Sequence, residues 1–449
     1  LQAALTLMAK ATSMTNGIDA EALRLSASAT LPEPARLPLT AAASASTHLE
    51  LHGHALEAYA LDGSGVSWLR ASEGKVERER LKRTSLMRGI LRQDVPYVVW
   101  ATPKARCDEL DDRCASRATG IAAHVPGAHA MPAPRWLAGH LAGRFDRSLS
   151  VREDSSVDML AVGGATAPVE LRHFAMPAPA TMPGPTGSDD ASQADPPPAP
   201  ASALHATSLE VPAAATRDAL LTRFGRVLYA FEAEEAVINA RTRNVEPSRT
   251  IDLPRVTSRV PFTSACDPGS VSWLFYGGAD EQALVRLAPT DDASDSPGVP
   301  RGAPIATELL RTKLSVREPF HVEASARDKI KSVCSGDHLS LFVLDQEQTL
   351  WGIACASPSH CEPPRRLATE VADFAVADTL DATVLAYSQV EPARDQRLVL
   401  VARSGEPQGP AKTPAACWDA KRGMCGLPLL SSDGYRVVLA ARDGEDLLA

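Results

Sequence analysis

The residues with chemical potential fall into a few groups, and each has an ordinary structural reading beside its functional one. His48, His52 and His54 lie in Thr-His-Leu-Glu-Leu-His-Gly-His. Alternate side chains of an extended strand share a face, so a strand here would offer His52 and His54 to one metal ion. Glu57, the next acidic residue, has the wrong spacing for the His-x-His-x-Asp-His pattern of metallohydrolases, so polar strand-edge histidines are the expectation. Asp108, Glu109, Asp111 and Asp112 sit between Cys107 and Cys114, where a stapled loop would offer oxygen ligands to a hard cation. The EF-hand spacing and its glycine are missing, and a solvated acidic loop is expected. No metal or cofactor is predicted from either group.

The cysteines carry the most compositional information. Of eight, six form close pairs, Cys107/Cys114, Cys355/Cys361 and Cys417/Cys425, and Cys266 and Cys334 remain. The intervening segments are longer than the two to four residues of zinc half-sites. Disulfides are therefore expected, with free thiols and a metal site as the other readings. Eight cysteines allow roughly a hundred pairings, so pairing of nearest neighbours is only one hypothesis. Disulfides would place the chain in the periplasm, at the cell surface or outside the cell.

Other chemistry leaves no local signature. Gly-x-Ser-x-Gly, the P-loop, Gly-x-Gly-x-x-Gly, His-Glu-x-x-His and Cys-x-x-Cys are all absent from the sequence. Ser64, between two glycines, reads as part of a hairpin turn. The net charge of −9 and the lack of an aromatic-interleaved basic run argue against nucleic acid as a partner. No apolar run is long enough for a membrane-spanning helix. Trp68, Trp100, Trp273 and Trp351 lie in apolar runs and are expected to pack between sheets, whereas Trp418 beside Cys417 is a candidate for exposure.

The elements that would position these residues are short strands. From about His48 onward, runs such as Leu56–Leu61, Val66–Ala71, Pro96–Ala101, Val157–Val162, Val169–Phe174 and Arg226–Phe231 are bounded by Gly, Asp, Ser or Pro. The series continues through Val271–Tyr276, Ala283–Leu287, Leu339–Leu344, Leu350–Ala354, Val384–Tyr387, Leu398–Ala402 and Arg436–Ala440. These are strand and hairpin signals. Helical patches are predicted only at Arg135–Arg144 and Ala213–Phe224, as decorations. Residues 1–47, rich in Ala, Ser and Pro, read as a leader or linker, and 48–449 as the folded part. Residues 176–203 carry eight prolines in 28 positions and read as a disordered excursion between sheets, or as a linker between modules 48–175 and 204–449.

The strand pattern also repeats. Val66-Ser67-Trp68-Leu69 recurs as Val271-Ser272-Trp273-Leu274, and the block from Cys266 aligns without gaps to the block from Cys334. Val399-Leu-Val-Ala-Arg-Ser-Gly-Glu406 matches Val438-Leu-Ala-Ala-Arg-Asp-Gly-Glu445. Hairpins start on average about every 53 residues, the length of a four-stranded unit. The pattern resembles divergent β-propeller repeat proteins, in particular extracytoplasmic ones with cysteine-stapled loops. That resemblance implies an all-β fold of about seven or eight four-stranded blades. It also implies a non-catalytic scaffold that binds a protein or glycan. The alternatives are a propeller enzyme, a hydrolase or lyase acting on polysaccharide or peptide in the central channel, and the ectodomain of a larger sensory protein.

Overall fold

The structure is a computed structural model. It describes residues 36–38, 46–52, 55–62, 65–72, 75–81, 87–91, 97–101, 118–123, 135–142, 145–152, 154, 156–162, 168–175, 202–212, 216–222, 226–232, 237–244, 249–257, 262–278, 280–289, 304–316, 329–379, 383–389, 396–401, 429–432, 437–443 and 446–448. These residues form eight antiparallel sheets. In seven of them consecutive strands pair as a meander, the blade unit of a β-propeller, and the eighth joins strands from both ends of the chain. The chain is all-β, as its alternating short apolar runs predict; the single helix among the described residues is one turn, Phe145–Ser148.

Two compact units divide the chain, residues 84–255 and residues 1–83 with 256–449. The first unit holds blades 2 to 4. Blade 2 comprises Met87–Leu91, Tyr97–Ala101, Ala118–Ala123 and Arg135–Ala138. In blade 3 the first strand is split into His140–Leu141 and Leu149–Val151 around the helical turn, and Val157–Val162, Pro168–Phe174 and His205–Pro212 follow. Blade 4 comprises Thr216–Leu221, Arg226–Glu232, Val237–Asn244 and Arg249–Asp252.

The second unit holds blade 1 (Ser46–His52, Ala55–Asp62, Gly65–Ser72, Lys75–Leu81) and blades 5 to 8. Blade 5 is Phe262–Cys266, Ser272–Gly277, Gln282–Pro289 and Pro304–Thr312, and blade 6 is Ile330–Ser335, His338–Leu344, Leu350–Cys355 and Arg365–Ala368. Blade 7 shows Val371–Asp378, Thr383–Gln389 and Gln396–Val401. Blade 8 is built from Leu429–Ser432, Val437–Asp443 and Asp446–Leu448. Its fourth strand is Arg36–Pro38, from the stretch read as leader or linker, paired antiparallel with Asp446–Leu448. Within this unit the first strands of blades 5, 6, 7, 8 and 1 lie against one another in that order.

The core sits between blades. Strand residues alternate between faces, so a central strand buried on both sides sends odd and even positions to different neighbours. In blade 3, Val157, Met159 and Ala161 pack with Val99, Ile121 and Leu137 of blade 2, while Leu160 packs with Leu221, Val227 and Tyr229 of blade 4. Blade 6 repeats the arrangement: Leu339, Leu341 and Val343 join Trp273, Phe275 and Leu284 of blade 5, while Phe342 and Leu344 join Phe374, Leu385 and Tyr387 of blade 7. Trp273 and Trp351 fill the space between blades 5 and 6, as expected of such residues. Trp68 and Trp100 lie in strands, and Trp418 lies outside the described residues.

Several expectations change. Both predicted helices are strands: Arg135–Ala138 pairs with Ala118–Ala123, and Thr216–Leu221 with Arg226–Glu232. Leu137 and Leu221 are buried in inter-blade clusters, and that packing outweighs a weak local helical pattern. The Pro-rich segment is a connection inside blade 3. The strands on either side of it pair with each other, so it is neither a linker between modules nor an excursion between blades. Residues 176–201 of it lie outside the described residues.

Candidate functional site

A row of polar residues crosses blade 3. Ser150 pairs with Asp158, Asp158 with His173 and His173 with His205, each directly opposite the next on adjacent antiparallel strands. Alternation places Asp158 on the same face as Leu160, His173 with Val169 and Leu171, and His205 with Leu209. That face packs against blade 4. The row therefore begins where an apolar inter-blade core ends.

Asp158 is fully buried, and its two carboxylate oxygens have separate partners. Arg152 Nε donates to Oδ2 at 2.7 Å, and His173 Nδ1 approaches Oδ1 at 2.8 Å. An ionised carboxylate only accepts, so Nδ1 of His173 is the donor in this bond. Nε2 makes no hydrogen bond among the described residues. The His173 ring stacks on His205, centroids 5.0 Å apart with 24° between planes. His205 is exposed on the blade's outermost strand. Arg152 comes from the hairpin joining Leu149–Val151 to Val157–Val162, where the Ser156 N–H donates to Asp154 Oδ1 at 2.8 Å. Asp154 is exposed, and hydrogen bonds from Ser156 are the main cause of its lowered pKa. Such an arrangement fixes one imidazole with a free ring nitrogen, the state needed by a general base or a metal ligand.

A second constellation joins blades 5 and 6. Cys266, ending the first strand of blade 5, is bonded to Cys334 in the first strand of blade 6. The two-residue turn Gly336-Asp337 of blade 6 grips blade 5 beside this bridge. Gly336 supplies the positive φ of 52° that such a hairpin requires. Its carbonyl accepts from Trp273 Nε1 at 3.4 Å, and Asp337 Oδ1 accepts from Arg286 Nη2 at 2.6 Å. Arg286 also lies over the Trp273 ring, 5.7 Å from its centroid. The second bridge, Cys355–Cys361, closes a short loop after the third strand of blade 6.

Sequence and structure agree unevenly here. Cys266 and Cys334, the aligned repeat positions, bridge each other, and Cys355 pairs with its neighbour Cys361. Cys107, Cys114, Cys417 and Cys425 lie outside the described residues, as do Asp108, Glu109, Asp111, Asp112 and His54. His52 is the last residue of its strand. Among the described residues no group of three or more His, Cys, Asp or Glu side chains is placed to hold a metal ion. No helix among them is long and apolar enough to cross a membrane. The Asp158–His173–His205 row was missed because its members are spread over 48 positions and a long insertion; only strand register unites them.

No family model matches the chain, and no curated protein is similar to it. Similar solved structures include a prolyl endopeptidase (10% identity, TM-score 0.44, covering 89% of this chain and 55% of that one). A puromycin-hydrolysing peptidase of Mycobacterium tuberculosis is comparable (11% identity, TM-score 0.43, 92% of this chain and 60% of that one). The chain thus spans little more than half the length of these two proteins. A putative 6-phosphogluconolactonase of Bacteroides fragilis is matched over most of its length (11% identity, TM-score 0.40, 84% of this chain and 96% of that one). All of these scores lie below 0.5, and what identifies the architecture is the strand pairing: successive antiparallel blades of propeller type.

Proposed function

We propose that the chain is a non-catalytic binding scaffold of an oxidising, extracytoplasmic compartment, holding a protein or glycan on the loops of its blades. The observation that carries this reading is the Cys266–Cys334 bridge, which joins consecutive blades covalently. A structural bridge of this kind persists in the periplasm, at the cell surface or outside the cell, where thiols are not kept reduced. Around it, Arg286, Trp273 and Asp337 are used in holding blade to blade, so the junction serves rigidity. Rigid blades with fixed loops lower the ordering cost of binding a partner.

The test is to present the full chain to immobilised polysaccharides and peptides while following new reducing ends, unsaturated uronates and new amines. Saturable retention of one class without product is the expected result. Turnover, or retention of neither class, contradicts the scaffold.

The Asp158–His173 pair favours a second reading, a propeller hydrolase or lyase. A buried carboxylate holding one imidazole tautomer is how a general base is oriented. Turnover that disappears in His173→Ala would establish that reading in place of the first.

A further inference from the structure

We propose that Arg135, on blade 2, is an anion-binding residue that receives the carboxylate of an acidic side chain of a partner protein; this rests on the scaffold reading and supplies the chemistry of its partner. Arg135 opens the outermost strand of blade 2, directly opposite Ile121 and on the same face as Leu137. Ile121 and Leu137 are fully buried in the apolar cluster between blades 2 and 3. The Arg135 guanidinium therefore stands at the margin of an apolar junction. Its Nη1 is shut off from solvent and makes no hydrogen bond.

Its neighbours in kind are all engaged. Arg152, Arg172, Arg241, Arg286 and Arg311 each pair with a carboxylate. Nothing among the described residues pairs with Arg135, and burial alone moves its pKa, downward. An arginine stays charged in a protein, so an unpaired and partly desolvated one costs stability that an incoming anion would restore. A carboxylate fits the planar guanidinium through two parallel N–H···O bonds, and an apolar surround strengthens them relative to water.

Two features favour an acidic protein segment over an acidic glycan. Ala203 of blade 3 packs against the same apolar cluster, and Leu204 beside it is 66% exposed, the most exposed large apolar side chain among the described residues. A protein segment can set an apolar side chain on Leu204 and a carboxylate on Arg135, the pairing of apolar contact and arginine anchor found at protein interfaces. A sugar would stack on an aromatic face, and Trp136, next to Arg135, is buried.

The experiment titrates the oxidised full chain into a labelled acidic peptide carrying Glu beside Leu, and into a labelled oligogalacturonate, and reads fluorescence anisotropy. Arg135→Met and Arg249→Gln are measured alongside; Arg249 is an exposed arginine of blade 4 and controls for charge alone. Wild type and Arg249→Gln should bind the peptide saturably and alike, and Arg135→Met about 10- to 100-fold more weakly. Methionine keeps the apolar stem and removes the unpaired charge, so the urea midpoint of Arg135→Met should equal or exceed that of the wild type. Equal peptide binding by wild type and Arg135→Met, no saturable peptide binding, or tighter binding of the oligogalacturonate overturns the proposal. So does a lowered midpoint or a failure to fold in Arg135→Met, which would make the guanidinium a structural group. A chain that fails these measurements yet retains another protein or a glycan loses the Arg135 site and keeps the scaffold.

Discussion

At the scale of single residues, the buried polar groups of blade 3 are held by backbone geometry as much as by charge. Gly139 sits at φ +124° between Ala138 and His140, and a Cβ there would come within 2.6 Å of Arg172 Nη1. Arg172 uses that space to donate to the Ala138 carbonyl at 2.8 Å while pairing with Glu170. Gly139→Ala should therefore destabilise by about 1–3 kcal/mol, read as a lowered urea midpoint, because φ and contact both resist a side chain. Glu281 in blade 5 allows a test by pH. The Thr257 N–H, donating at 2.6 Å, is the main cause of its lowered pKa, and Arg311 adds to it. A carboxylate lowered in the folded state stabilises fully above its unfolded pKa, and the contribution fades as pH falls through the folded value. Urea midpoints of the wild type should therefore fall on acidification below about pH 4.5, more steeply than those of Glu281→Gln.

Among elements, legibility follows burial. Central strands such as Val157–Val162 and Thr383–Gln389 are covered on both faces and read as apolar runs; Val157–Val162 and Val384–Tyr387 were found almost to the residue. Outer strands such as Arg249–Asp252 and Arg365–Ala368 lie largely in solvent, so nothing in their composition sets them apart from loops. Arg36–Pro38 was illegible because its partner, Asp446–Leu448, is at the other end of the chain. The alignment of the Cys266 and Cys334 blocks carried more than its use as a repeat marker, since equivalent positions of adjacent blades stand side by side and their thiols can meet. Closing a loop of 68 residues restricts the unfolded chain by about 4 kcal/mol, against about 2 kcal/mol for the six-residue separation of Cys355 and Cys361. Denaturant unfolding should show a larger loss for Cys266→Ser with Cys334→Ser than for Cys355→Ser with Cys361→Ser; the reverse order would place the weight of the fold elsewhere.

At the scale of the whole molecule, the described residues form a series of small sheets that bury their faces against one another. Blades 2 to 4 and blades 5 to 7 exchange apolar side chains across each junction described, and blade 6 is tied to blade 5 by a covalent bond as well. Both the oxidising compartment and the rigid-scaffold reading descend from that bond. Peptide mapping without reductant tests it most directly. No Lys or Arg lies between Lys331 and Arg365, so a tryptic fragment carries Cys334, Cys355 and Cys361 together, and a second cut at Asp345 or Glu347 separates Cys334 from the other two. The predicted result is a Cys266 peptide linked to the Cys334 peptide alone and released on reduction. Free thiols at Cys266 and Cys334, or either one joined to a different cysteine, would contradict the account.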